Sequence, residues 1–221
     1  MLESKYVYIF GYSGHAYVVI ESLLNLGYHI LGYFDYEKAK NNPYGLKYLG
    51  FELDVNVNDI VKNHFVFPTV GDNVIRKKLL AFFDEKNLNQ LRIIDPSANI
   101  SKSATLGKST YVGKNVQINA LARVGEGVIL NTGCILEHEC QIGHGVHIAP
   151  GSVLCGSVKV GDGSFIGAQA VVKENISISA NIKIGAGSVV VKNIKESGTY
   201  FGNPAKLLKV NPLKGGLNPN E

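Results

Sequence analysis

The 221-residue sequence has no tryptophan, one methionine and three cysteines, and it contains no apolar run long enough to cross a membrane. An odd number of cysteines without a Cys-x-x-Cys pair supports neither a disulfide framework nor a zinc ribbon. The sequence also lacks a large excess of either charge, since 22 Lys and Arg against 18 Asp and Glu leave a net charge of +4. This balance excludes the broad basic surface of a nucleic-acid-binding protein, but it suits small anionic ligands.

The amino-terminal residues carry no recognisable targeting segment. The acidic Glu3 precedes a short apolar run, Val7 to Phe10, which Gly11 interrupts. A secretory signal requires a longer apolar segment behind a basic start. We therefore expect a cytoplasmic protein without membrane insertion.

Glycine, in contrast, is abundant, and the 25 glycines lie within a strict apolar repeat. From Ile100 to Val190, every sixth residue is Leu, Ile or Val, and a small or β-branched residue stands two positions earlier. Glycine follows the repeated apolar residue at 107, 113, 125, 143, 161, 167 and 185. Neither the helical period of 3.6 nor the strand period of 2 explains this pattern, whereas a turn every six residues does. The repeat predicts a hexapeptide β-helix, in which three short strands per coil form a triangular prism with the aliphatic residues inside.

The chain divides into three parts. Residues 1–97 predict an α/β domain, residues 98–195 the prism, and residues 196–221 a closing segment with a loose tail. In the first part we expect four strands and two helices: strands at Val7–Phe10, Ile30–Phe34, Phe65–Val70 and Leu91–Ile94, a helix at His15–Leu26, and a second helix that buries Ile75, Leu79 and Phe82.

The start of the α/β domain resembles half of a nucleotide-binding fold, because a glycine loop joins its first strand to its first helix. Backbone amides after Gly14 could hold phosphate oxygens, and Asp35 could accept hydrogen bonds from ribose hydroxyls. The spacing from Gly11 to Gly14 is not the full dinucleotide fingerprint, and glycine there suits a tight turn equally well. A mononucleotide or a nucleotide sugar is therefore favoured over NAD.

Three of the six histidines, His138, His144 and His147, lie within ten residues of the repeat. Their phase predicts side chains outside the prism, near solvent or a subunit interface. An imidazole can remove a proton from an attacking amine or hydroxyl, and Glu139 could orient the ring of His138. Cys140 has the inward phase of the small residues, which excludes it as a nucleophile.

Two other interpretations of these histidines remain open. They could be surface residues without chemistry, His144 above all. They could also bind zinc, as in the γ-type carbonic anhydrases, but zinc catalysis requires three protein ligands that converge on one point. The spacings of six and three disfavour that arrangement, so we expect no metal.

The motifs Tyr8-Ile-Phe-Gly-Tyr-Ser-Gly-His15, Gly71-Asp-Asn-Val-Ile-Arg-Lys-Lys78 and Glu137-His-Glu-Cys140 resemble those of the hexapeptide-repeat nucleotide-sugar acetyltransferases, in particular the UDP-4-amino-sugar N-acetyltransferases of bacillosamine synthesis. The resemblance extends from about residue 5 to Lys206. It implies a left-handed β-helix and a homotrimer with active sites between subunits. It also implies acetyl-CoA as the acetyl donor and a nucleotide-linked 4-amino-4,6-dideoxy sugar, preferably a UDP sugar, as the acceptor for surface glycan synthesis.

The resemblance further implies specific roles for residues in this chain. His138 would be the catalytic base and Glu139 would raise its basicity. The residues that would contact acetyl-CoA are His147, Ala168 and Ala186. For a direct transfer without an acyl-enzyme, we also expect the backbone amide of Gly156 to steady the oxyanion. The residues that would bind the nucleotide sugar are Ser13, Gly14, His15, Asp35 and Gly71, and Tyr36 stands where the family often has a second acid. Sialic-acid-type O-acetylation and a noncatalytic nucleotide-sensing trimer remain alternatives on the same scaffold.

Overall fold

The computed structural model describes residues 5–209, so the predicted loose tail lies outside the described residues. The first domain contains three helices, α1 (Gly14–Asn25), α2 (Val57–Val61) and α3 (Asn73–Glu85). Its four parallel strands have the order β2-β1-β3-β4. Their bounds are Tyr6–Phe10 (β1), His29–Phe34 (β2), Phe65–Pro68 (β3) and Asn89–Gln90 (β4).

The apolar run of β1 is continuous because both faces of the sheet are covered. Val7 and Ile9 pack in one cluster with residues of α1, including Val19 and Leu23. Alternate residues of β1 pack in a second cluster with α2 and α3. The predicted α/β layer is therefore confirmed, with helix and strand ends within a few residues of expectation.

Two details of this domain differ from the prediction. The fourth strand of the sheet is β4, whereas β5 (Ile93–Ile94) pairs with Tyr111–Val112 and belongs to the prism. The buried side of α3 also lies one residue further along the chain than expected. Leu79 is buried as predicted, but Ile75 is 51% exposed while Arg76 is only 1% exposed. The apolar pattern could not predict this face, because Arg76, the first of its three buried residues, is charged.

The prism consists of two-residue strands from β5 to β21 (Val189–Val190), and from β5 to β18 each strand pairs in parallel with the strand 18 residues further on. We name its three sheets by their strands. Face 1 contains β5, β8, β11, β14, β17 and β20, and the hairpin of β22 (Thr199–Phe201) and β23 (Lys206–Lys209) extends it. Face 2 contains β6, β9, β12, β15, β18 and β21, and face 3 contains β7, β10, β13, β16 and β19.

The intervening two-residue strands, in chain order from β6 to β20, are Asn99–Ile100, Thr105–Leu106, Tyr111–Val112, Gln117–Ile118, Arg123–Val124, Ile129–Leu130, Ile135–Leu136, Gln141–Ile142, His147–Ile148, Val153–Leu154, Lys159–Val160, Phe165–Ile166, Val171–Val172, Ser177–Ile178 and Lys183–Ile184. From Val112 to Val190, the second residue of each strand is buried in the axis of the prism. The small and β-branched column two positions earlier joins the same core. The predicted hexapeptide prism is confirmed.

The glycines of the repeat have a different physical reason from the one predicted. A Cβ added to Gly161 would lie 2.5 Å from the backbone nitrogen of Ala180 in the next coil. Gly107 and Gly167 meet the next coil in the same way. The left-handed backbone of each turn lies two positions later, as at Gly163 with φ of +67°. Close stacking of coils, rather than the turn, therefore requires glycine after the inward residue.

The outward residues distinguish the three faces. On face 1 the first domain covers Tyr111, Ile129 and His147, which are all buried. Face 2 carries a partly exposed apolar row: Ile135, Val153, Val171 and Val189. Face 3 carries an exposed polar row: Thr105, Arg123, Gln141, Lys159 and Ser177. None of the helices in residues 5–209 combines the length and the apolar character that a membrane crossing requires.

Candidate active site

His138 and Glu139 lie in the turn that joins face 2 to face 3, which we call edge 2/3. The His138 side chain is 59% exposed, and its Nδ1 lies 3.1 Å from Oε2 of Glu139. Glu139 has a left-handed backbone with φ of +61°, so the turn itself places its carboxylate beside the ring. Ser157 donates a hydrogen bond of 3.4 Å to the same carboxylate oxygen. The pair is thus oriented and open to solvent, as a general base requires.

Gly156 lies one coil further along the same edge, against the ring of His138. An added Cβ would lie 2.5 Å from both Cε1 and Nε2 of the imidazole. Only glycine therefore allows the ring to occupy this position. The backbone N–H of Gly156 has no hydrogen-bond acceptor among residues 5–209, which leaves a free donor next to His138.

Cys140 follows Glu139 but points into the prism. The side chain is fully buried, and its Sγ lies 3.3 Å from the carbonyl oxygen of Cys155. Burial raises the pKa of Cys140 to about 11. A thiol that is buried and protonated cannot serve as the nucleophile, in agreement with the phase of the repeat.

His147 corrects one expectation, because its ring is not near solvent. It is 9% exposed and lies between face 1 and the first domain. Its Nδ1 is 3.3 Å from the carbonyl oxygen of Gly71, and its Nε2 is 3.3 Å from Nδ2 of Asn131. Burial, followed by the charge of Arg76, lowers the pKa of His147 to about 4. The repeat predicted an outward direction correctly but not the domain that covers this face.

His15 lies beside His147 at the same junction, with 6.2 Å between the ring centroids. Its Nε2 is buried and has no hydrogen-bond partner among the described residues. Burial, and then His147 and Arg76, lower the pKa of His15 to about 3. His15 and Gly71 are therefore grouped with His147 rather than with the other residues predicted to bind the nucleotide.

Ser13, Gly14 and Asp35 do lie together, in a separate cleft of about 400 Å³ at the carboxyl ends of β1 and β2. The Asp35 carboxylate accepts backbone hydrogen bonds of 2.8 Å from Tyr12 and from Tyr36, which ties the glycine loop to β2. Helix α1 begins in this cleft without a capping side-chain hydrogen bond and without an acid in its first turn. Such a helix start favours an anion, in particular phosphate.

Arg76 is the functional candidate that the sequence did not predict. Its Nε donates to Gly127 at 2.7 Å and its Nη2 to Gly145 at 2.9 Å, both carbonyl oxygens in the turns from face 3 to face 1. Its Nη1 donates to the carbonyl oxygens of Val70 and Gly71. Hydrophobic spacing cannot identify such a residue, because a charged side chain breaks the pattern that defines a buried face.

The predicted site residues therefore form separate groups within one chain. His138, Glu139 and Gly156 share edge 2/3, which lies opposite face 1 and His147 in the triangular section. Ala168 and Ala186 lie in turns from face 1 to face 2, which we call edge 1/2. Their backbone N–H groups have no acceptor among the described residues.

The arrangement also bears on the zinc alternative. His138 lies on edge 2/3, His144 on the turn from face 3 to face 1, and His147 on face 1. Within residues 5–209, no three His, Cys, Asp or Glu side chains are close enough to hold one ion. The three histidines of one chain thus do not converge as a zinc site requires.

Comparisons with known families divide the chain in the same way as the fold. The model of the PglD N-terminal domain matches residues 6–83, and the model of the GMPPB C-terminal domain matches residues 88–171. A sequence relative, an uncharacterized protein of Acanthamoeba polyphaga mimivirus, is 38% identical over 125 residues. That match covers 56% of this chain but spans only 24% of the length of the relative.

Solved structures match nearly the whole chain. A mutant of perosamine N-acetyltransferase from Caulobacter crescentus, in complex with CoA and GDP-perosamine, is 34% identical with a TM-score of 0.87. The match covers 91% of this chain and 95% of that one. The acetyltransferase domain of PglB from Neisseria gonorrhoeae, in complex with acetyl coenzyme A, is 29% identical with a TM-score of 0.86, and the match covers 93% of this chain and all of that one. The likeness confirms the predicted short parallel sheet followed by a left-handed β-helix.

Proposed function

The chain belongs to the hexapeptide-repeat sugar N-acetyltransferases, and from this premise we propose that it transfers the acetyl group of acetyl-CoA to the 4-amino group of a nucleotide-linked 4-amino-4,6-dideoxy sugar. The observation that carries the proposal is the exposed His138–Glu139 pair beside the free amide of Gly156. A base and a hydrogen-bond donor at one point are what acyl transfer to an amine needs.

The reaction proceeds by direct transfer. The neutral amine of the sugar attacks the thioester carbon, a C–N bond forms and the C–S bond breaks. Nε2 of His138 takes the proton that the amine loses and returns it to the departing thiolate, so the products are the amide and free CoA. Glu139 stabilises the imidazolium through Nδ1, and the Gly156 N–H donates to the oxyanion.

A homotrimer would complete the site. The apolar row of face 2 is suited to a threefold axis, because burying Ile135, Val153 and Val171 against their copies removes apolar surface from water. With face 2 at the axis, edge 2/3 of one protomer meets edge 1/2 of the next. His138 then approaches the half of the neighbouring protomer that carries His147, Ala168 and Ala186, which we propose to contact acetyl-CoA.

The nucleotide sugar would bind in the cleft of the first domain. Its diphosphate fits the start of α1 at Ser13 and Gly14, and its ribose hydroxyls would donate to the remaining lone pairs of Asp35. His15 follows Gly14 in the chain and lies with Gly71 at the junction with the prism, where its Nε2 has no hydrogen-bond partner among residues 5–209. Resemblance of the sequence favours UDP as the carrier, whereas the perosamine N-acetyltransferase holds a GDP sugar.

Subunit complementation tests the shared site. His138→Asn and Asp35→Ala should each be nearly inactive as pure trimers, because each damages one half of every site. Co-assembled mixed trimers should regain CoA release, since some sites combine an intact half from each variant. Mixed trimers as inactive as the parents would contradict a site between protomers, and a chain without acetyl-CoA turnover on any 4-amino nucleotide sugar would contradict the proposed function.

The carrier can be settled by a thermal-shift panel of UDP, GDP and dTDP 4-amino sugars. The true carrier should raise the melting temperature most in the wild type, and Asp35→Asn should remove most of that increase. Glu85→Gln serves as the control, because Glu85 is an exposed acid at the end of α3 and does not line this cleft. Equal shifts with all three carriers would place recognition of the base outside this cleft.

A further inference from the structure

Arg76 is a buried cation whose five N–H groups all have acceptors. Besides its bonds to Gly127 and Gly145 in the prism, it donates to Val70 and Gly71 and, at 2.7 Å, to Oδ1 of Asn73. No carboxylate among residues 5–209 forms an ion pair with it. A guanidinium held only by neutral oxygens spans three parts of the molecule at once: α3, the loop after β3, and two successive prism turns.

One of these acceptors connects Arg76 with His147. The Gly71 carbonyl oxygen lies 3.0 Å from Nη1 of Arg76 and 3.3 Å from Nδ1 of His147. Because a carbonyl oxygen only accepts, Nδ1 of His147 must carry the proton. Nε2 is then the acceptor for Nδ2 of Asn131, whose orientation is set by its Oδ1, which accepts from the Thr132 amide at 2.8 Å.

We propose that Arg76 is a positioning residue that locks the first domain onto the prism and, through the Gly71 carbonyl, holds His147 as the neutral Nδ1–H tautomer. The inference rests on the proposed function for its catalytic consequence. A His147 ring held in this way has only a lone pair at Nε2, already used by Asn131. His147 therefore neither takes the proton from the amine nor donates a hydrogen bond to the thioester oxygen, and both tasks fall to edge 2/3 of the neighbouring protomer.

The groups that face His147 support the neutral form. Arg76 approaches it from α3 and His15 from α1, while Phe165 packs edge-on from the next coil with ring centroids 5.1 Å apart. None of these contacts is an anion that would favour an imidazolium. Burial and the Arg76 charge act in the same direction on the pKa of His147.

Nitrogen-15 NMR of histidine-labelled full-length protein tests the inference without an activity measurement. In the wild type, His147 should show the Nδ1–H tautomer and should not titrate between pH 5 and 8. In Arg76→Gln, and to a smaller extent in Arg76→Lys with its three donors, the ring should lose this tautomer preference and titrate at higher pH. Arg92→Gln, at an exposed arginine, should leave the His147 signals unchanged.

Kinetics then tests the link to catalysis. Because about 1 Å of misplacement can cost roughly 10²-fold in rate, Arg76→Gln should lower kcat/KM for the sugar nucleotide by about that factor. An Nε2–H tautomer in the wild type, or an Arg76→Gln spectrum like that of the wild type, would overturn the proposal. The wild-type spectrum decides even if Arg76→Gln does not fold. A wild type with the expected spectrum but without acetyl transfer would contradict the proposed function alone.

Discussion

Edge 2/3 and the junction between face 1 and the first domain both contain histidine, but the two rings differ in exposure, hydrogen bonding and neighbouring charge. On the edge, His138 is exposed, has a carboxylate beside Nδ1 and, within residues 5–209, has no hydrogen-bond partner at Nε2. At the junction, His147 is buried, has both ring nitrogens in hydrogen bonds and faces a cation. The two histidines therefore have different chemical properties because edge 2/3 and face 1 lie on opposite sides of the triangular section and surround the rings differently.

The two regions therefore differ in what a substitution is expected to change. The Gly156 amide on the edge has no acceptor among residues 5–209, whereas all five N–H donors of Arg76 at the junction have one. Substitutions on the edge should therefore change turnover with little effect on stability. Substitutions at the junction should change stability and domain docking first.

The largest expected effect is at His138. His138→Asn removes the base, so kcat should fall by roughly 10²- to 10⁴-fold while the melting temperature stays unchanged because the ring is exposed. His144→Asn is the matched control, since His144 is also exposed and lies six residues further on, at the other end of face 3. Steady-state kinetics with acetyl-CoA checks this. Equal losses in the two variants, or none, would remove the distinction between the edges.

Gly156→Ala tests the same edge while leaving the His138 residue itself unchanged. The added Cβ displaces the His138 ring, and a shift of about 1 Å should lower kcat by about 10²-fold. Glu174→Ala, the equivalent position one coil further on, should retain full activity. An active Gly156→Ala enzyme would show that the ring position is not critical.

At the junction, the buried histidines make stability depend on pH. The folded pKa of His147, about 4, lies below the ordinary value of 6.5 because of burial and Arg76, so the unfolded chain binds the proton more readily. The contribution of neutral His147 to the free energy of unfolding is fully present above pH 6.5. It is lost as pH falls toward 4, to an extent on the order of 3 kcal/mol. His15 acts in the same direction.

Urea unfolding between pH 7.5 and pH 4.5 measures this dependence. The free energy of unfolding should fall with pH in the wild type and in His138→Asn, and it should fall less in His147→Gln. A His147→Gln curve parallel to the wild type would show that the junction histidine is not held neutral.

The smallest expected effect concerns the buried Ser22–Asp95 contact beside Tyr111. Ser22 Oγ donates to Asp95 Oδ2 at 2.6 Å, and Ser22→Ala leaves that carboxylate short of a partner, at a cost of about 1–3 kcal/mol at pH 7. Burial alone would raise the pKa of Asp95, but hydrogen bonds from Ser22 and Ser97 outweigh it and lower the pKa. This stabilisation is present above about pH 4 and is lost as pH falls through the folded pKa.

Chemical denaturation at pH 7 and near pH 3.5 measures this effect. The decrease in the free energy of unfolding that Ser22→Ala causes should be smaller near pH 3.5. Ser103→Ala, which removes an exposed hydrogen bond to Leu121, is the control and should cost little at either pH. A penalty that is independent of pH would exclude the Asp95 charge as its cause.

Much of the fold could be predicted because the repeat is local. An aliphatic residue every six positions and a small residue two positions earlier define the inside of each coil, and Cys140 was correctly placed there. The edge pair was predictable for the same reason, since the phase puts His138 outside and Glu139 in the turn. The glycine spacing was also visible in the sequence, but its physical reason, the close stacking of Gly161 against the next coil, is a property of the folded prism.

The junction could not be predicted in this way. A repeat phase states that a side chain leaves the prism, but it does not state what covers that face. His147 is therefore buried under the first domain where solvent or a subunit interface was expected, and Arg76 takes the place on the buried face of α3 that apolar spacing had assigned to Ile75.

The prism, the order of its faces and the exposed position of His138 follow from the amino-acid sequence alone, because each depends on neighbours a fixed number of residues apart. The burial of His147, the contacts of Arg76 and the distance between edge 2/3 and the junction became apparent only in the folded chain. Those properties arise from contacts between segments tens of residues apart, such as Arg76 with Gly145 and His147 with Gly71, and no local period encodes such contacts.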